Sequence, residues 1–325
     1  MEKLIEVHEV SKIYKKRKTK DLITAVDTIS FDVYRGEILG LLGSNGAGKT
    51  STIKMMCGLL QPDKGVITIN GIDIWRKRSV ALHHISAVLE GNRSLYWRLT
   101  VQENMEYFSG NRGVSRKVFM PQIEKLLSQF GLKDKKNELV NGLSRGMQQK
   151  LSIAIALLAN TDLVVLDEPT LGLDVEASHS IRQLLKQIAH EEQRTIIISS
   201  HDMPVIQELC DRTIIINNGK VVVDDRVDNL LKLFETRAYT LKLGENLTPG
   251  QTAALSKEFP LHTYTPDENN PIIAVNLERS EDIYELMTIL KTQDTPIESI
   301  DRTMIDFEQV FLQIVKGGEV HDKVI

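Results

Sequence analysis

The chain has 325 residues, enough for two domains, and its 42% hydrophobic and 26% charged residues are typical of a globular protein with a full apolar core. A formal net charge of −4 provides no general attraction to nucleic acid, so no nucleic-acid partner is expected. The longest purely apolar run, 153–159, is far shorter than the roughly 20 residues that cross a bilayer, and no signal peptide is visible. The two cysteines, Cys57 and Cys210, are expected to be buried core residues in a reducing compartment.

The first two thirds of the chain alternate between strand and helix patterns. In order, the patterns predict short strands over 4–7 and 23–33, a buried strand over 38–42, a helix over 51–60 and a strand over 66–70. Three helices follow, from Thr100, over 121–130 and over 144–158. Next come a strand over 163–166, a helix over 175–189, a strand over 195–199, a helix over 203–210, strands over 213–217 and 220–223, and a helix over 227–234. Buried strands that alternate with helices predict a parallel sheet, and the first strands predict an antiparallel β patch beside it. Asn70-Gly71 predicts a tight hairpin turn, and Thr100 with Glu103 predicts a capping box.

The pattern changes near residue 235. It predicts a strand over 237–243, a helix over 249–259, strands over 261–265 and 271–277, a helix over 280–290, a strand over 297–302 and a final helix over 306–315. This βαββαβ order is that of a ferredoxin-like unit, and no chemical motif falls within it. We therefore predict a first domain over 1–234 with a helical subdomain at about 91–160, an accessory domain over 235–316 and a tail over 317–325.

The strongest chemical signal is the run Gly43-Ser44-Asn45-Gly46-Ala47-Gly48-Lys49-Thr50, which is followed by Ser51. It lies between a predicted strand and a predicted helix, which is the context that a P-loop requires. Its glycines let backbone N–H groups approach phosphate oxygens, and the helix N-terminus adds partial positive charge. Lys49 would reach the β- and γ-phosphates and the Thr50 hydroxyl would hold Mg²⁺, so the run predicts a nucleoside triphosphate site.

A second signal is the pair of carboxylates at the end of the aliphatic strand 163–166. Asp167 would hold Mg²⁺ through water, and Glu168 would orient and polarise the attacking water. Taken alone, the pair fits a strand that runs into a polar turn. Together with the P-loop, it predicts phosphoryl-transfer chemistry.

Three further motifs complete a set. They are Leu143-Ser144-Arg145-Gly146-Met147-Gln148-Gln149, Pro169-Thr170-Leu171-Gly172-Leu173-Asp174 and Ser200-His201-Asp202. In this order, over roughly 3–232, the motifs resemble the ATPase subunits of ATP-binding cassette (ABC) transporters. The resemblance implies an α/β P-loop NTPase cassette with a parallel sheet core, an antiparallel β subdomain and a helical subdomain, here joined to a small C-terminal α+β ferredoxin-like domain. It also implies ATP and Mg²⁺ as cofactors.

The resemblance implies roles at the nucleotide for residues outside the P-loop. Tyr14 would stack on the adenine, although a lone tyrosine also fits ordinary strand packing. His201 would contact the γ-phosphate as the switch histidine, and it would act in hydrolysis together with Glu168 and Lys49.

The resemblance also implies a homodimer. Asp174 would lie at its seam, and Ser144 with the N–H of Gly146 would cap the γ-phosphate bound by the opposite subunit. The signature of the family usually reads Leu-Ser-Gly-Gly-Gln, and in this chain Arg145 and Met147 replace a glycine and the glutamine. Because Ser144 and Gly146 are kept, turnover is still expected.

The segment 90–99 is where the resemblance implies contact with a membrane subunit. The family places a glutamine that meets Mg²⁺ at the position of Glu90, and a carboxylate ligates Mg²⁺ at least as well, so Glu90 is expected to act with altered metal dependence. In the following stretch, Tyr96 and Trp97 are expected either to contact the partner or to pack inside the helical subdomain.

These features together imply an ATP-hydrolysing subunit that dimerises on ATP and powers a separate polytopic permease from the cytoplasmic face of the membrane. The C-terminal domain resembles that of drug- and antibiotic-resistance exporters. One alternative is a soluble cassette ATPase of translation, DNA repair or iron–sulfur assembly, although the second cassette or long coiled coil typical of the first two is missing. Another alternative is an importer ATPase, whose C-terminal extension is more often a β-barrel.

Overall fold

The computed structural model describes residues 2–15, 22–90, 95–233, 237–260, 262–267, 271–277, 281–303 and 311. The chain divides into two compact units, Met1–Val227 and Asp228–Ile325. In the described part of the chain, no helix is both long enough and apolar enough to span a membrane. The predicted final helix, except for Phe311, and the predicted tail lie outside the described residues.

The elements of the first unit follow the predicted alternation. Its strands are β1 (Lys3–Lys15), β2 (Leu22–Tyr34), β3 (Ile38–Leu42), β4 (Lys64–Ile69), β5 (Ile72–Asp73), β6 (Ile85–Val88), β7 (Leu163–Asp167), β8 (Thr195–Ser200), β9 (Arg212–Asn217) and β10 (Lys220–Arg226). Its helices are α1 (Lys49–Met56), α2 (Arg78–Leu82), α3 (Val101–Asn111), α4 (Arg116–Gln129), α5 (Arg145–Leu158), α6 (Val175–Glu192) and α7 (Met203–Leu209), and α8 (Val227–Leu233) begins at the boundary between the units.

The main sheet of this unit has the strand order β10-β9-β3-β8-β7-β6. Neighbours from β9 to β6 are parallel, and β10 is antiparallel to β9. Strands β3, β7 and β8 are buried along their whole length, as parallel strands covered on both faces should be. Leu42 pairs with Ser200 and Asp167 pairs with Ser199, so the segments that follow β3, β7 and β8 leave the sheet at one edge.

A second sheet, of order β2-β1-β4-β5, is antiparallel, as predicted. Its first two strands have 13 residues each, so the prediction of short strands was wrong. Register shifts along β1 interrupt the simple alternation of side chains, which explains why the pattern looked fragmented. The predicted turn at Asn70-Gly71 joins β4 to β5 with φ of 51° and 70°, values expected of a type I′ hairpin.

The helices between β6 and β7 form the predicted helical region. Thr100 and Glu103 make both hydrogen bonds of the capping box at the start of α3. Helix α4 begins at Arg116 rather than at Pro121, which lies inside it. Phe119 and Ile123 are buried on either side of the proline, and this tertiary packing favours a continuous helix across a residue that would otherwise end it.

The second unit contains β11 (Arg237–Leu243), α9 (Pro249–Glu258), β12 (Thr263–Thr265), β13 (Ile272–Leu277), α10 (Asp282–Lys291) and β14 (Ile297–Thr303), which is the predicted βαββαβ order. Its sheet is antiparallel throughout, with the order β12-β13-β11-β14. The core forms between the sheet and the helices, where Leu241 and Ile273 cluster with Leu255 of α9 and Leu286 of α10.

Candidate functional site

A cleft of about 550 Å³ lies at the carboxyl edge of the main sheet. It is lined by Ala25, Ser44, Asn45, Gly46, Gly48, Lys49, Thr50, Ser51, Glu90, Glu168, Leu171 and His201. The fold therefore brings together residues from the loop between β3 and α1 and from the segments that follow β6, β7 and β8. Gly43, Ala47 and Asp167 lie in or next to these segments but do not line the cleft.

Two positions in the loop require glycine because the backbone of a neighbouring strand lies very close to each of them. Gly48 has φ of +114°, and a Cβ built on it would lie 2.4 Å from the carbonyl oxygen of Ala25 in β2. A Cβ on Gly43 would lie 2.4 Å from the carbonyl oxygen of Ile216 in β9. The loop is thus seated between two strands, with α1 starting directly after Gly48. This places the free N–H groups of a helix N-terminus at the cleft.

Lys49 is buried beneath the loop, and its Nζ donates a hydrogen bond to the carbonyl oxygen of Gly43 at 2.6 Å. Burial lowers the pKa of Lys49, and the carboxylates of Glu168, Asp167 and Glu90 oppose that shift. The three carboxylates that act on the pKa of this ammonium are ones predicted for catalysis and metal binding.

Asp167 is buried at the end of β7, and its two oxygens differ in their hydrogen bonding. The Ser199 hydroxyl donates to Oδ1 at 2.5 Å, whereas Oδ2 has no hydrogen-bond partner among the described residues. An unsatisfied buried carboxylate oxygen is costly unless a cation approaches it. Thr50 and Glu90 supply further oxygens at the cleft. Oxygen donors suit Mg²⁺, which usually takes one or two carboxylates together with substrate phosphates, so these residues fit the ion.

Glu168 has φ of +51°, in the left-handed region that non-glycine residues rarely adopt. Its N–H donates to both the carbonyl oxygen and the hydroxyl of Ser199, each at 3.1 Å. Its Oε1 lies 2.9 Å from Nδ1 of the exposed His201. Strained backbone of this kind is held only where the surroundings determine it, and here the held side chain is a carboxylate at the cleft.

Comparison with known proteins agrees with this geometry. The family described as ABC transporter matches residues 26–171. The ABC transporter ATP-binding protein NatA of Bacillus subtilis is 39% identical over 211 residues, which cover 65% of this chain and 85% of NatA. The bacitracin transport ATP-binding protein BcrA of Bacillus licheniformis is 31% identical over 323 residues, 98% of this chain and 100% of BcrA. A solved dimeric post-hydrolysis state of an ATP-binding cassette with ADP and Pi bound is 26% identical, covers 69% of this chain and 99% of that one, and has a TM-score of 0.61.

The chain belongs to the ATP-binding proteins of ABC transporters. The predicted α/β P-loop cassette fold, ATP binding and ATPase class are confirmed. The acid pair at its nucleotide cleft also has a buried partner that the sequence analysis missed. The Ser199 hydroxyl donates to the Asp167 carboxylate and accepts from the backbone N–H of Glu168, and the signal for this role in the sequence was a hydroxyl at the end of a buried strand.

Two predicted residues lie beside the nucleotide cleft of this ABC ATPase rather than in its lining. The Tyr14 hydroxyl is 3.3 Å from Ser51 Oγ, and the ring is 40% exposed next to the start of α1. Asp174 accepts a hydrogen bond from the N–H of Ala177 at 2.7 Å and so caps α6. It lines an adjoining cleft of about 320 Å³, which shares Glu168, Leu171 and His201 with the first.

The signature residues do not line the nucleotide cleft of their own chain. The Ser144 hydroxyl accepts a hydrogen bond from the N–H of Met147 at 3.2 Å and caps α5. A Cβ on Gly146 would lie 2.9 Å from Cβ of Ala177 in α6. Both positions therefore have a local structural reason for their residue type, in addition to the phosphate contact that the family implies.

Tyr96 and Trp97 are exposed by 46% and 60%, so the alternative that they pack inside the helical subdomain was wrong. The Tyr96 hydroxyl donates to that of Tyr107 at 3.0 Å, and Tyr107 is exposed as well. The expected contact segment 90–99 is described only at Glu90 and from residue 95 onward.

Proposed function

We propose that the chain is the ATP-hydrolysing subunit of an exporter, in which two copies close on ATP and drive a separate polytopic permease from the cytoplasmic face of the membrane. The observation that carries this proposal is the hydrogen bond between Glu168 and His201 in the same cleft as Lys49. On this proposal residues 1–234, with a helical subdomain at about 91–160, form the ATPase domain. Residues 235–316 form an accessory domain.

The P-loop side of the cleft would bind the triphosphate. Backbone N–H groups from Ser44 to Ser51 would hold its oxygens at the N-terminus of α1, and Tyr14 would take the adenine. Lys49 would exchange its hydrogen bond with Gly43 for one with the β- and γ-phosphates.

The acid pair would carry the chemistry. Thr50, Asp167 and Glu90 would hold Mg²⁺, which when bound neutralises charge on the phosphate oxygens. Glu168 would orient the attacking water and accept its proton, because its carboxylate faces the cleft and has one oxygen free of the bond to His201. His201, exposed beside it, would fix the orientation of that carboxylate and donate to the γ-phosphate.

The other side of the bound triphosphate would be completed by a second copy of the chain. Ser144 and the N–H of Gly146 lie at the start of α5, where a helix N-terminus favours an anion. They would cap the γ-phosphate held in the opposite copy, with Asp174 at the seam. The relative solved as a dimer with ADP and Pi supports this arrangement.

The direction of transport is proposed from the whole length of the chain. BcrA, which is named for bacitracin transport, matches 98% of this chain, including the accessory unit. An antiparallel sheet with two helices differs from the β-barrel that we expect of an importer extension. These features favour an exporter of the drug- and antibiotic-resistance type, and loss of the gene should therefore increase sensitivity to some peptide antibiotics.

The test is a pull-down of tagged Glu168→Gln protein with ATP from detergent-solubilised membranes. We expect hydrolysis to fall about 10²-fold or more, a stable ATP-dependent dimer, and recovery of a polytopic membrane protein. Glu191→Gln, on the exposed end of α6, is the matched control and should hydrolyse ATP normally. Recovery of ribosomes or DNA-associated factors in place of a membrane protein would contradict the proposal and assign the chain to the soluble cassette ATPases.

A further inference from the structure

Tyr14 lies near the end of β1, where this strand passes the start of α1. Its hydroxyl is 3.3 Å from Ser51 Oγ, and its side chain is 40% exposed. A side chain that has to be ordered when a ligand binds lowers the affinity, because ordering costs conformational entropy. The contacts that hold Tyr14 before the nucleotide arrives therefore contribute to nucleotide affinity.

The segment that joins α1 to β4 lies directly against β1. Gly65, at the start of β4, has φ of +84°, and a Cβ built on it would lie 2.4 Å from the carbonyl oxygen of Glu9 in β1. The N–H of Asp63 donates to the carbonyl oxygen of Ser11 at 2.9 Å. Strand β4 begins at the next residue and pairs first with the same serine. The part of β1 that leads to Tyr14 therefore runs beside this segment and not beside β4.

The side chain of Asp63 continues the contact with β1 where the strand pairing ends. Its Oδ2 accepts the backbone N–H of Ile13 at 2.7 Å, and its Oδ1 accepts Nζ of Lys12 at 3.0 Å. Lys12 also donates to the carbonyl oxygen of Gln61 at 2.8 Å, and its side chain is only 14% exposed. The N–H of Ile13 and the ammonium of Lys12 lower the pKa of Asp63, so both bonds are made to a carboxylate at neutral pH.

Both donors to Asp63 lie next to Tyr14. Ile13 precedes it in the chain, so the hydrogen bond to Oδ2 holds the backbone from which the tyrosine ring projects. Nζ of Lys12 lies 6.0 Å from the centroid of that ring, which is the outer limit of a cation–π contact. Asp63 thus holds the strand just before Tyr14 and also the cation nearest its ring.

We propose that Asp63 is a positioning residue for nucleotide binding, which together with Lys12 holds Tyr14 in place to stack on the adenine. The inference rests on the proposed function, in which Tyr14 takes the adenine. Asp63 itself would not touch the nucleotide. Its effect would be confined to the part of the affinity that depends on the base, because the phosphates are bound by backbone N–H groups at the start of α1.

The test measures Kd by isothermal titration for Mg-ADP, which has an adenine, and for Mg-pyrophosphate, which has none. Tyr14→Ala should raise the Kd of Mg-ADP about tenfold or more, because it removes the ring on which the base stacks. Asp63→Ala should raise it about three- to tenfold, and Asp63→Asn by less, because the amide oxygen can still accept the N–H of Ile13. The Kd of Mg-pyrophosphate should equal that of wild type in all three variants.

The matched control is Asp73→Ala. Asp73 also accepts backbone N–H groups, from Trp75 at 2.8 Å and from Arg76 at 2.9 Å, and it pairs with the Arg76 guanidinium. It belongs to the same sheet as Tyr14 but lies toward the other end of β1, since Ile69 pairs with both Ile5 and Ile72. Asp73→Ala should lower the Tm, as Asp63→Ala does, and leave the Kd of Mg-ADP unchanged.

The deciding measurement is the double variant of Asp63→Ala and Tyr14→Ala. If Asp63 acts through Tyr14, the double variant should bind Mg-ADP as Tyr14→Ala alone does. In hydrolysis, Asp63→Ala should raise KM for Mg-ATP and leave kcat at saturation equal to that of wild type.

Three results would overturn the role of Asp63 and leave the adenine contact in place. They are an unchanged Kd of Mg-ADP in Asp63→Ala, a further rise in Kd when Asp63→Ala is added to Tyr14→Ala, and an equal loss of pyrophosphate binding. The same rise in Asp73→Ala would assign the effect to general stability and would also contradict the inference. An unchanged Kd of Mg-ADP in Tyr14→Ala would instead overturn the adenine contact in the proposed function.

Discussion

The substitution Gly48→Ala tests whether the P-loop owes its shape to its contact with β2. At Gly48 φ is +114° and the new Cβ would lie 2.4 Å from the carbonyl oxygen of Ala25. Gly46→Ala is the matched control, because Gly46 also has positive φ, of +82°, but a Cβ there meets no atom within 4 Å.

The two substitutions differ in cost by a calculable amount. At Gly46 the methyl group adds only left-handed strain of about 1–2 kcal/mol, partly offset by about 0.4–1 kcal/mol from the lower entropy of the unfolded chain. At Gly48 the same terms apply, and the clash with a backbone atom adds overpacking of about 1–3 kcal/mol. Because α1 and β2 are both held in place, Gly48→Ala should be less stable than Gly46→Ala by about 2 kcal/mol.

The assay is thermal unfolding with and without Mg-ATP. In wild type, the transition that nucleotide shifts is the unfolding of the cassette, and the Tm of this transition is compared between the variants. For a unit of this size, about 2 kcal/mol corresponds to a Tm lower by about 4–8 °C. Nucleotide should raise the Tm of wild type and have little effect on Gly48→Ala, since the displaced loop no longer presents its N–H groups. Equal Tm values for the two variants would refute the view that contact with Ala25 fixes the loop.

Four further outcomes are expected. Ser199→Ala should destabilise the protein by about 1–3 kcal/mol in denaturant titrations and slow hydrolysis, because it leaves Asp167 without its remaining partner. Glu90→Gln should shift the Mg²⁺ concentration needed for half-maximal hydrolysis, and an unchanged Mg²⁺ titration would exclude Glu90 as a ligand. Folding lowers the pKa of Lys49, so the unfolded state binds more protons below the usual value of 10.5. The Tm of wild type relative to Lys49→Met should therefore rise as the pH approaches 10.5 from below, and a flat difference would contradict the direction of the pKa shift. Burial raises the pKa of Cys57 to about 12, so thiol reagents at about pH 8 should label it only after denaturant is added.

The parts of the site that consist of consecutive residues could be predicted from the sequence. A P-loop binds phosphate through neighbouring backbone N–H groups, and a capping box joins residues three positions apart, so both leave a complete signal in one short stretch. The same is true of the Asn70-Gly71 turn, whose conformation depends on two residues. The short apolar strands β3, β7 and β8 were equally clear, since parallel strands buried on both faces show continuous aliphatic runs.

The remaining features depend on contacts between residues far apart in the chain, and only the tertiary structure decided them. Ser199 is the partner of Asp167 because β8 pairs with β7, and Gly48 cannot carry a side chain because β2 passes beside it. An apolar cavity lined by Phe108 and Ile155 likewise depends on where α3 ends against α5 and β6. The sequence by itself determined the nucleotide chemistry of this ABC ATPase, because that chemistry is local. The packing of its elements decided which side chains share a site, because burial and pairing are properties of the folded chain as a whole.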